Sequence, residues 1–330
     1  MSESRGPGLG GEHVQRALTV SDWLERSGLL RLDQRPFLED NFIFRSNREE
    51  AWHSEFSEAS LDHGAAKVGG TVSLKNPGKV GIGTWEIDSD ASAFSDLDIF
   101  DFGWYTNWRP DPLSTPQGKG HAQGLADARF VPMIWGKTDL STTNIKALKD
   151  TKSGYLLGFN EPDNKDQSNL TVAEAIKLWP KLMKTGLTLG SPAVTTPETL
   201  GKNSWLGKFM NLADKKGYDV DFIAVHYYSE NPSIGEFKKF LKNVQKAYDK
   251  PVWVTEWALV DWDNPDRFST KQIAAFADAA TRMMDSLDFV KRHAWFGAYD
   301  GGDGWHINTQ LLDADGDLTK VGKAFYDLLL

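Results

Sequence analysis

The sequence predicts an α/β chain, a (β/α)8 TIM barrel carrying an N-terminal extension. Three observations predict it. Eight short apolar runs succeed one another between about residue 79 and residue 301. Helical segments with recognisable start signals lie between several of them. The alternation fills about 250 residues, the ordinary length of such a barrel. In order, the runs are "KVGIGTW", "FDFGWYTNW", "RFVPMIWG", "GYLLGFNEP", "LTLGSPAVT", "DFIAVHYYS", "PVWVTEWAL" and "HAWFGAYDG". Each is rich in apolar, β-branched or aromatic residues, as strands covered on both faces must be.

The helices are justified by their starts. Thr171 and Glu174 frame a capping box before "VAEAIKLWPKLM". Ser233 and Glu236 do so before "FKKFLKNVQKAY", and Ser269 and Gln272 before "IAAFADAATRMMDSL". In each box the hydroxyl and the later side chain satisfy backbone amides that have no partner within the helix. Pro180 lacks an N–H, so it should kink or end the first of these helices. "KVGKAFYDLLL" closes the barrel after the eighth run. A doubly wound open sheet is the competing architecture. It expects a glycine-rich phosphate loop after the first strand, and "GIGTWE" lacks the third glycine.

The barrel is expected over residues 76–330, and residues 1–75 stand apart from it. Ser21 caps a helix in "SDWLERSGLL", "REEAWHSEFSEA" reads as a second helix, and "GGTVSLKNPGK" as a strand turning at Asn76, Pro77 and Gly78. A small extension packed on the barrel and a flexible leader both fit this stretch. "MSESRGPGLGG" has no apolar core and reads as a linker remnant rather than a signal peptide. The expectation is a secreted protein whose export signal has been removed.

Composition excludes several functions. The net charge of -9 argues against nucleic acid or an anionic membrane as the main partner, since both require concentrated Lys and Arg. No apolar stretch approaches the length of a membrane span. The absence of cysteine removes disulfides, thiol catalysis and thiolate metal sites. No H-x-H or H-E-x-x-H is present, so no metal and no cofactor is expected. "WGKT" has Val131 where a phosphate loop needs glycine, and "DADGD" has Leu318 and Ala324 where a calcium loop needs glycine and glutamate. No G-x-S-x-G exists for a serine hydrolase. "NLT" at Asn169 is a formal glycosylation site only. The 13 tryptophans divide between core packing and a ring-lined pocket.

In a barrel of this kind the chemistry sits where the strands end. Run two ends in Asn107 and Trp108, run three in Trp135 and Gly136, and run four in Asn160 and Glu161. Run six ends in His226, Tyr227 and Tyr228, run seven in Glu256 and Trp257, and run eight near Tyr299 and Asp300. A carboxylate directly after an apolar run is costly unless it faces water or a partner. Runs four and seven are three apart in a ring of eight, so their tips face each other across the opening. That arrangement suits glycoside hydrolysis, in which one carboxylic acid protonates the leaving oxygen and a carboxylate opposite attacks the anomeric carbon. Glu256 is then expected ionised with a low pKa, and Glu161 protonated with a raised one. Two separate structural ion pairs are the competing explanation.

"GYLLGFNEPD" and "PVWVTEWA", with "FVPMIWG", "LGSPA" and "DFIAVHYY" in that order, resemble glycoside hydrolase family 128, a family of the large clan of retaining glycosidases whose own members act mainly on β-1,3-glucan. The resemblance covers about residues 79–330. It implies Glu161 as acid/base, Glu256 as nucleophile, Asn160 as ligand of the sugar 2-hydroxyl, Tyr228 as hydrogen-bond donor to Glu256 and His226 on the same wall. Asn107, Trp108, Trp135 and Trp257 are implied sugar contacts, and Asp163 and Trp295 complete the expected substrate-binding set. Two departures stand out: the first strand matches poorly, and Trp257 occupies a place more often held by Phe. A monomer acting on a polysaccharide or oligosaccharide is expected, cutting inside the chain. A carbohydrate-binding barrel without turnover, or a related glycosidase for another β-glucan or mannan, are the alternatives.

Overall fold

The computed structural model describes residues 73–86, 92–113, 127–301 and 306–330. The two helices expected before residue 60 lie outside them. Of the stretch expected as a strand, residues 73–76 are not extended into a sheet. The turn itself is present as a 3-10 turn over Pro77–Lys79, closed by the Lys79 N–H on the Asn76 carbonyl at 3.0 Å. Asp285 accepts from the N–H groups of Lys75 and Asn76 at 2.7 and 2.9 Å, which ties the approach to the barrel onto its wall.

The strands are β1 (Val80–Gly83), β2 (Trp104–Thr106), β3 (Tyr155–Leu156), β4 (Thr188–Leu189), β5 (Ile223–Ser229), β6 (Val252–Leu259) and β7 (Val290–Phe296). All pairings between them are parallel. One sheet runs β2-β1-β7-β6-β5 and a second pairs β3 with β4. Single parallel bridges join the remainder: Tyr105 to Phe130, Met133 to Leu157 and Gly190 to Phe222. Pairing thus passes from each of the eight apolar runs to the next and returns to the first, as the TIM barrel requires. The third run touches its neighbours only at Phe130 and Met133, because Pro132 between them has no N–H for a continuous ladder.

Helices α1 (Ser92–Phe100), α2 (Thr142–Ala147), α3 (Val172–Met183), α4 (Trp205–Lys216), α5 (Ile234–Tyr248), α6 (Thr270–Asp285) and α7 (Lys320–Leu329) form the outer layer. The capping boxes at Thr171 and Ser269 close in both directions. At Ser233 the hydroxyl accepts from the Glu236 N–H, but the Ser233 N–H donates to Asn231 Oδ1 instead of Glu236. Helix α3 continues through Pro180 to Met183, so the proline does not end it. Among the described residues no helix is long and apolar enough to cross a membrane.

Two aromatic layers result. Outside the sheet, Trp257 packs against Phe237 of α5, Phe276 of α6 and Phe325 of α7. Inside the barrel, near the strand starts, Trp104 of β2 and Trp253 of β6 meet at 5.4 Å although their strands are not neighbours. Gly81 makes this possible: a β-carbon there would lie 2.3 Å from the Trp104 indole nitrogen.

Candidate active site

Residues four apart on a regular strand face the same way. On β6 they do not: Trp253 points into the barrel, and Trp257 points out to the helices. The register explains it. Val254 pairs with Val225, the next pair is His226 with Glu256, and Thr255 is passed over. The ladder to β7 slips at the same place. An extra residue of this kind bends the strand and re-aims its side chains. Here it turns Glu256 toward the barrel mouth.

Glu161 reaches the same mouth from the segment after β3. Its backbone has φ 36°, in the left-handed region that side chains rarely adopt, and its N–H donates to the Ala193 carbonyl at 2.7 Å. Trp108, after β2, is also left-handed, with φ 58°. Such conformations persist where surrounding contacts over-determine them.

A single imidazole spans the two carboxylates. His226 Nδ1 lies 2.9 Å from Glu161 Oε1, and His226 Nε2 lies 3.2 Å from Glu256 Oε1 without hydrogen-bond alignment. Asn164 donates to Glu161 Oε2 at 3.1 Å. Tyr228 donates to Glu256 Oε2 at 2.5 Å, and the Trp108 indole N–H donates to Glu256 Oε1 at 2.7 Å. His226 and Glu256 are buried, and Glu161 is partly buried.

The electrostatics differ from the expectation of a protonated Glu161 beside an ionised Glu256. Burial pushes the Glu161 carboxyl up, but the hydrogen bond and charge of His226, with the Asn164 amide, outweigh it and hold Glu161 below its ordinary value. Burial also pushes Glu256 up. The charge of His226 opposes this, the charge of Glu161 adds to it, and the donors Trp108 and Tyr228 do not fully offset it, so Glu256 sits above its ordinary value. Burial depresses His226, yet the two carboxylates overcome that and raise it. The sequence offered no means to see this, because the effect depends on an imidazole placed between the acids.

The other expected site residues divide. Trp135 is half-buried near Asn160, whose N–H donates to its carbonyl at 3.0 Å. Asn160 spends its amide on Gln167 at 3.1 Å and leaves a buried Oδ1 with no partner among the described residues. Asn107 is consumed by its own loop, donating to the Asp111 carbonyl and accepting from the Arg109 N–H. Both oxygens of Asp163 accept from Thr195, joining two strand tips. Trp257 and Trp295 are fully buried behind the sheet, the latter donating to the Thr309 carbonyl at 2.8 Å. They do not line the mouth, because the alternation that brings Glu256 and Phe296 inward turns their neighbours Trp257 and Trp295 outward. Phe296 and Trp262 were missed. Phe296 stands 5.6 Å from both Trp108 and Tyr228, and Trp262 stands 5.3 Å from Tyr228. Among the described residues no cluster of three or more His, Asp or Glu is arranged to hold a metal ion.

A parallel barrel with two glutamates converging on one mouth is the architecture of a glycoside hydrolase. The comparisons agree. Residues 84–325 match the glycosyl hydrolase catalytic core family. A subgroup I endo-β-1,3-glucanase of family 128 from Amycolatopsis mediterranei, solved with laminarihexaose, is 30% identical with a TM-score of 0.63, covering 76% of this chain and 99% of that one. A subgroup III curdlan-specific exo-β-1,3-glucanase from Blastomyces gilchristii, solved with glucose, is 26% identical with a TM-score of 0.58, covering 76% and 99%. Alkali-sensitive linkage protein 1 of Schizosaccharomyces pombe is 27% identical over 232 residues, which are 67% of this chain and 39% of that protein. The chain therefore spans well under half the length of that curated relative. It belongs to glycoside hydrolase family 128.

Proposed function

We propose that residues 76–330 form a retaining, endo-acting hydrolase of β-1,3-glucan, working by double displacement with Glu161 as acid/base and Glu256 as nucleophile. The observation that carries this reading is the His226 imidazole contacting both glutamates at one mouth. It makes the carboxylates one electrostatic unit rather than two separate ion pairs.

The unit holds the proton that catalysis needs. A cationic His226 beside an ionised Glu161 has the same proton count as a neutral His226 beside a protonated Glu161. The 2.9 Å hydrogen bond from Nδ1 is the path between these two states. When a sugar covers the mouth and excludes water, separated charge becomes costlier, and the proton moves to Glu161. Glu161 then gives it to the departing glycosidic oxygen as ionised Glu256 bonds to the anomeric carbon. Tyr228 and Trp108 keep the attacking carboxylate oriented. With the Glu256 charge consumed in the ester, Glu161 accepts a proton from water. The resulting hydroxide equivalent breaks the ester and returns the sugar with its original configuration. The buried Asn160 Oδ1 is placed to accept from a sugar hydroxyl.

The 30% identity to an endo-acting relative favours internal cleavage. Secretion and a monomeric state complete the proposal. The test is laminarin digestion with chromatography of the products and anomer-resolved NMR of the first one. A spread of laminari-oligosaccharides with the β-anomer first is expected. Glucose alone from the earliest times would overturn endo action, and an initial α-anomer would overturn retention. Saturable binding without product would leave a carbohydrate-binding barrel.

A further inference from the structure

Glu161 leaves its strand abruptly, and a neighbour repairs the break. Just before it, Asn160 pairs in parallel with Ala193. The Ala193 N–H donates to the Phe159 carbonyl at 3.1 Å, and the Glu161 N–H donates to the Ala193 carbonyl at 2.7 Å. The next rung of a parallel ladder would carry the Thr195 N–H to the Glu161 carbonyl. Here the left-handed backbone of Glu161 turns away, and its carbonyl accepts from the Asn164 N–H at 3.0 Å. The Thr195 N–H donates instead to Asp163 Oδ1 at 3.1 Å, and the Thr195 hydroxyl donates to Asp163 Oδ2. The Asp163 carboxylate thus stands in for the carbonyl that Glu161 withdrew. A buried or half-buried N–H left without that substitute would oppose the conformation.

The tie continues to the imidazole. Thr195 opens a 3-10 turn over Thr196–Glu198. The Glu198 N–H and the Thr199 hydroxyl fix it by donating to the Thr195 carbonyl at 3.0 and 3.3 Å. From this turn the Thr196 hydroxyl donates to the His226 carbonyl at 3.1 Å. His226 Nδ1 then meets Glu161 Oε1 at 2.9 Å. The contacts close a ring that runs through Glu161, Asp163, Thr195, Thr196 and His226 and back to Glu161. Supporting links of this kind hold a reacting side chain more narrowly than its own rotamer preference does.

We infer that Asp163 is a positioning residue for the acid/base: with the Thr195–Thr196 turn, it holds Glu161 in the backbone conformation that sets its hydrogen bond to His226. This rests on the glucanase reading above and deepens it. Both Asp163 oxygens are engaged by Thr195, which sets this role apart from the sugar contact expected of it. Asp163 acts through Glu161 and Thr196 acts through His226, so removing either strut loosens the same bond. The carboxylates facing His226 are Glu161, Glu256 and Asp163, and the Tyr228 ring stands 6.4 Å away. Asp163→Ala therefore removes a strut and a charge together, whereas Thr196→Val removes a strut alone.

The test uses the full chain and laminarihexaose. Asp163→Ala and Thr196→Val should each lower kcat by about tenfold while KM stays within about twofold. The basic limb of the kcat/KM profile should move to lower pH in both, because a loosened bond holds the shared proton less firmly. Asp163→Asn keeps an acceptor for the Thr195 N–H, and Thr196→Ser keeps the hydroxyl, so each recovers most of the loss. Should Asp163→Ala fail to fold, Thr196→Val and its serine rescue carry the same test. A raised KM with a stationary limb in Asp163→Ala overturns the inference and makes Asp163 a sugar ligand. A lower melting temperature, with kcat per folded molecule and the limb both unchanged, overturns it too. NMR titration of the His226 ring without substrate separates this inference from the reading beneath it. Displaced titration in both variants of a parent that does not cleave laminarihexaose ends the glucanase reading while the struts stand. Unchanged titration in a parent that does cleave it ends the positioning role alone.

Discussion

The two ends of the barrel interior bury charge in opposite ways. At the strand starts, the Arg292 guanidinium lies 4.8 Å from the Tyr155 ring, 4.7 Å from Trp253 and 5.7 Å from Trp104. Its Nη1 is buried without a hydrogen-bond partner among the described residues. Rings stabilise that cation through their negative faces. At the strand ends, the buried Glu256 and the partly buried Glu161 both contact His226, a titratable group. Fixed quadrupoles give a plug, and titratable partners give the proposed reaction centre. The same barrel supplies both because its side chains point to one interior from different heights.

The glutamates give the largest expected effect. Glu161→Gln and Glu256→Gln should each lower turnover of laminarin by at least about 10²-fold while the protein stays folded. Near-normal turnover in either variant would erase the functional half of the contrast. Arg292→Ala should do the reverse. It removes the stacked cation and opens a void among rings, at a cost of about 3 kcal/mol of stability. Activity per folded molecule should be kept. Urea unfolding read beside kcat checks both halves, and a matching loss of kcat would show that the plug and the mouth are not separable.

Much of this was legible in the sequence, and what was not has a physical reason. Seven of the eight runs, the boxes at Thr171 and Ser269 and the meeting of Glu161 and Glu256 at one mouth rest on local patterns that survive packing. The third run misled as a strand because Pro132 weakens its ladder while its apolar character stays. Trp257 and Trp295 misled because proximity in sequence to a site was taken for proximity in space. Strand alternation, applied outward from Glu256, sends Trp257 behind the sheet. The bulge at Thr255 has no sequence signature of its own, so the absolute facing of β6 had to be seen. Gly81 and Gly83, which look like a failed nucleotide loop, are spaces: a β-carbon at Gly83 would sit 2.7 Å from the Trp108 ring.

His293 sharpens the contrast from behind the sheet. It is fully buried beside Trp257, and neither ring nitrogen has a partner among the described residues. Burial, with the nearby charge of Lys79, depresses it to about 3, and Asp285 opposes this only partly. The unfolded chain therefore binds a proton that the folded one refuses between about pH 6.5 and pH 3. Stability from this group is present above the upper limit and is lost as pH falls through that window. About 2 kcal/mol should disappear between pH 7 and pH 5. His293→Leu should flatten that slope in urea unfolding at the two pH values, and an unchanged slope would assign the acid sensitivity to other groups.

Trp108→Phe is the finest cut, because it separates a sugar contact from a holder of the proposed nucleophile. The ring stays between Trp85 and Phe296, but the donor to Glu256 is gone. A hydrogen bond to a carboxylate is worth roughly 1.5 kcal/mol or more, so kcat should fall about tenfold. Losing that donor also raises Glu256 further, so a smaller fraction is ionised at low pH. The acidic limb of the kcat/KM profile should move to higher pH, with KM for laminarin nearly unchanged. A raised KM with a stationary limb would instead return Trp108 to the role its sequence position suggests, a ring against the sugar. The nucleophile would then depend on Tyr228, and the contrast between fixed rings below and titratable partners above would be cleaner, since no indole would serve both.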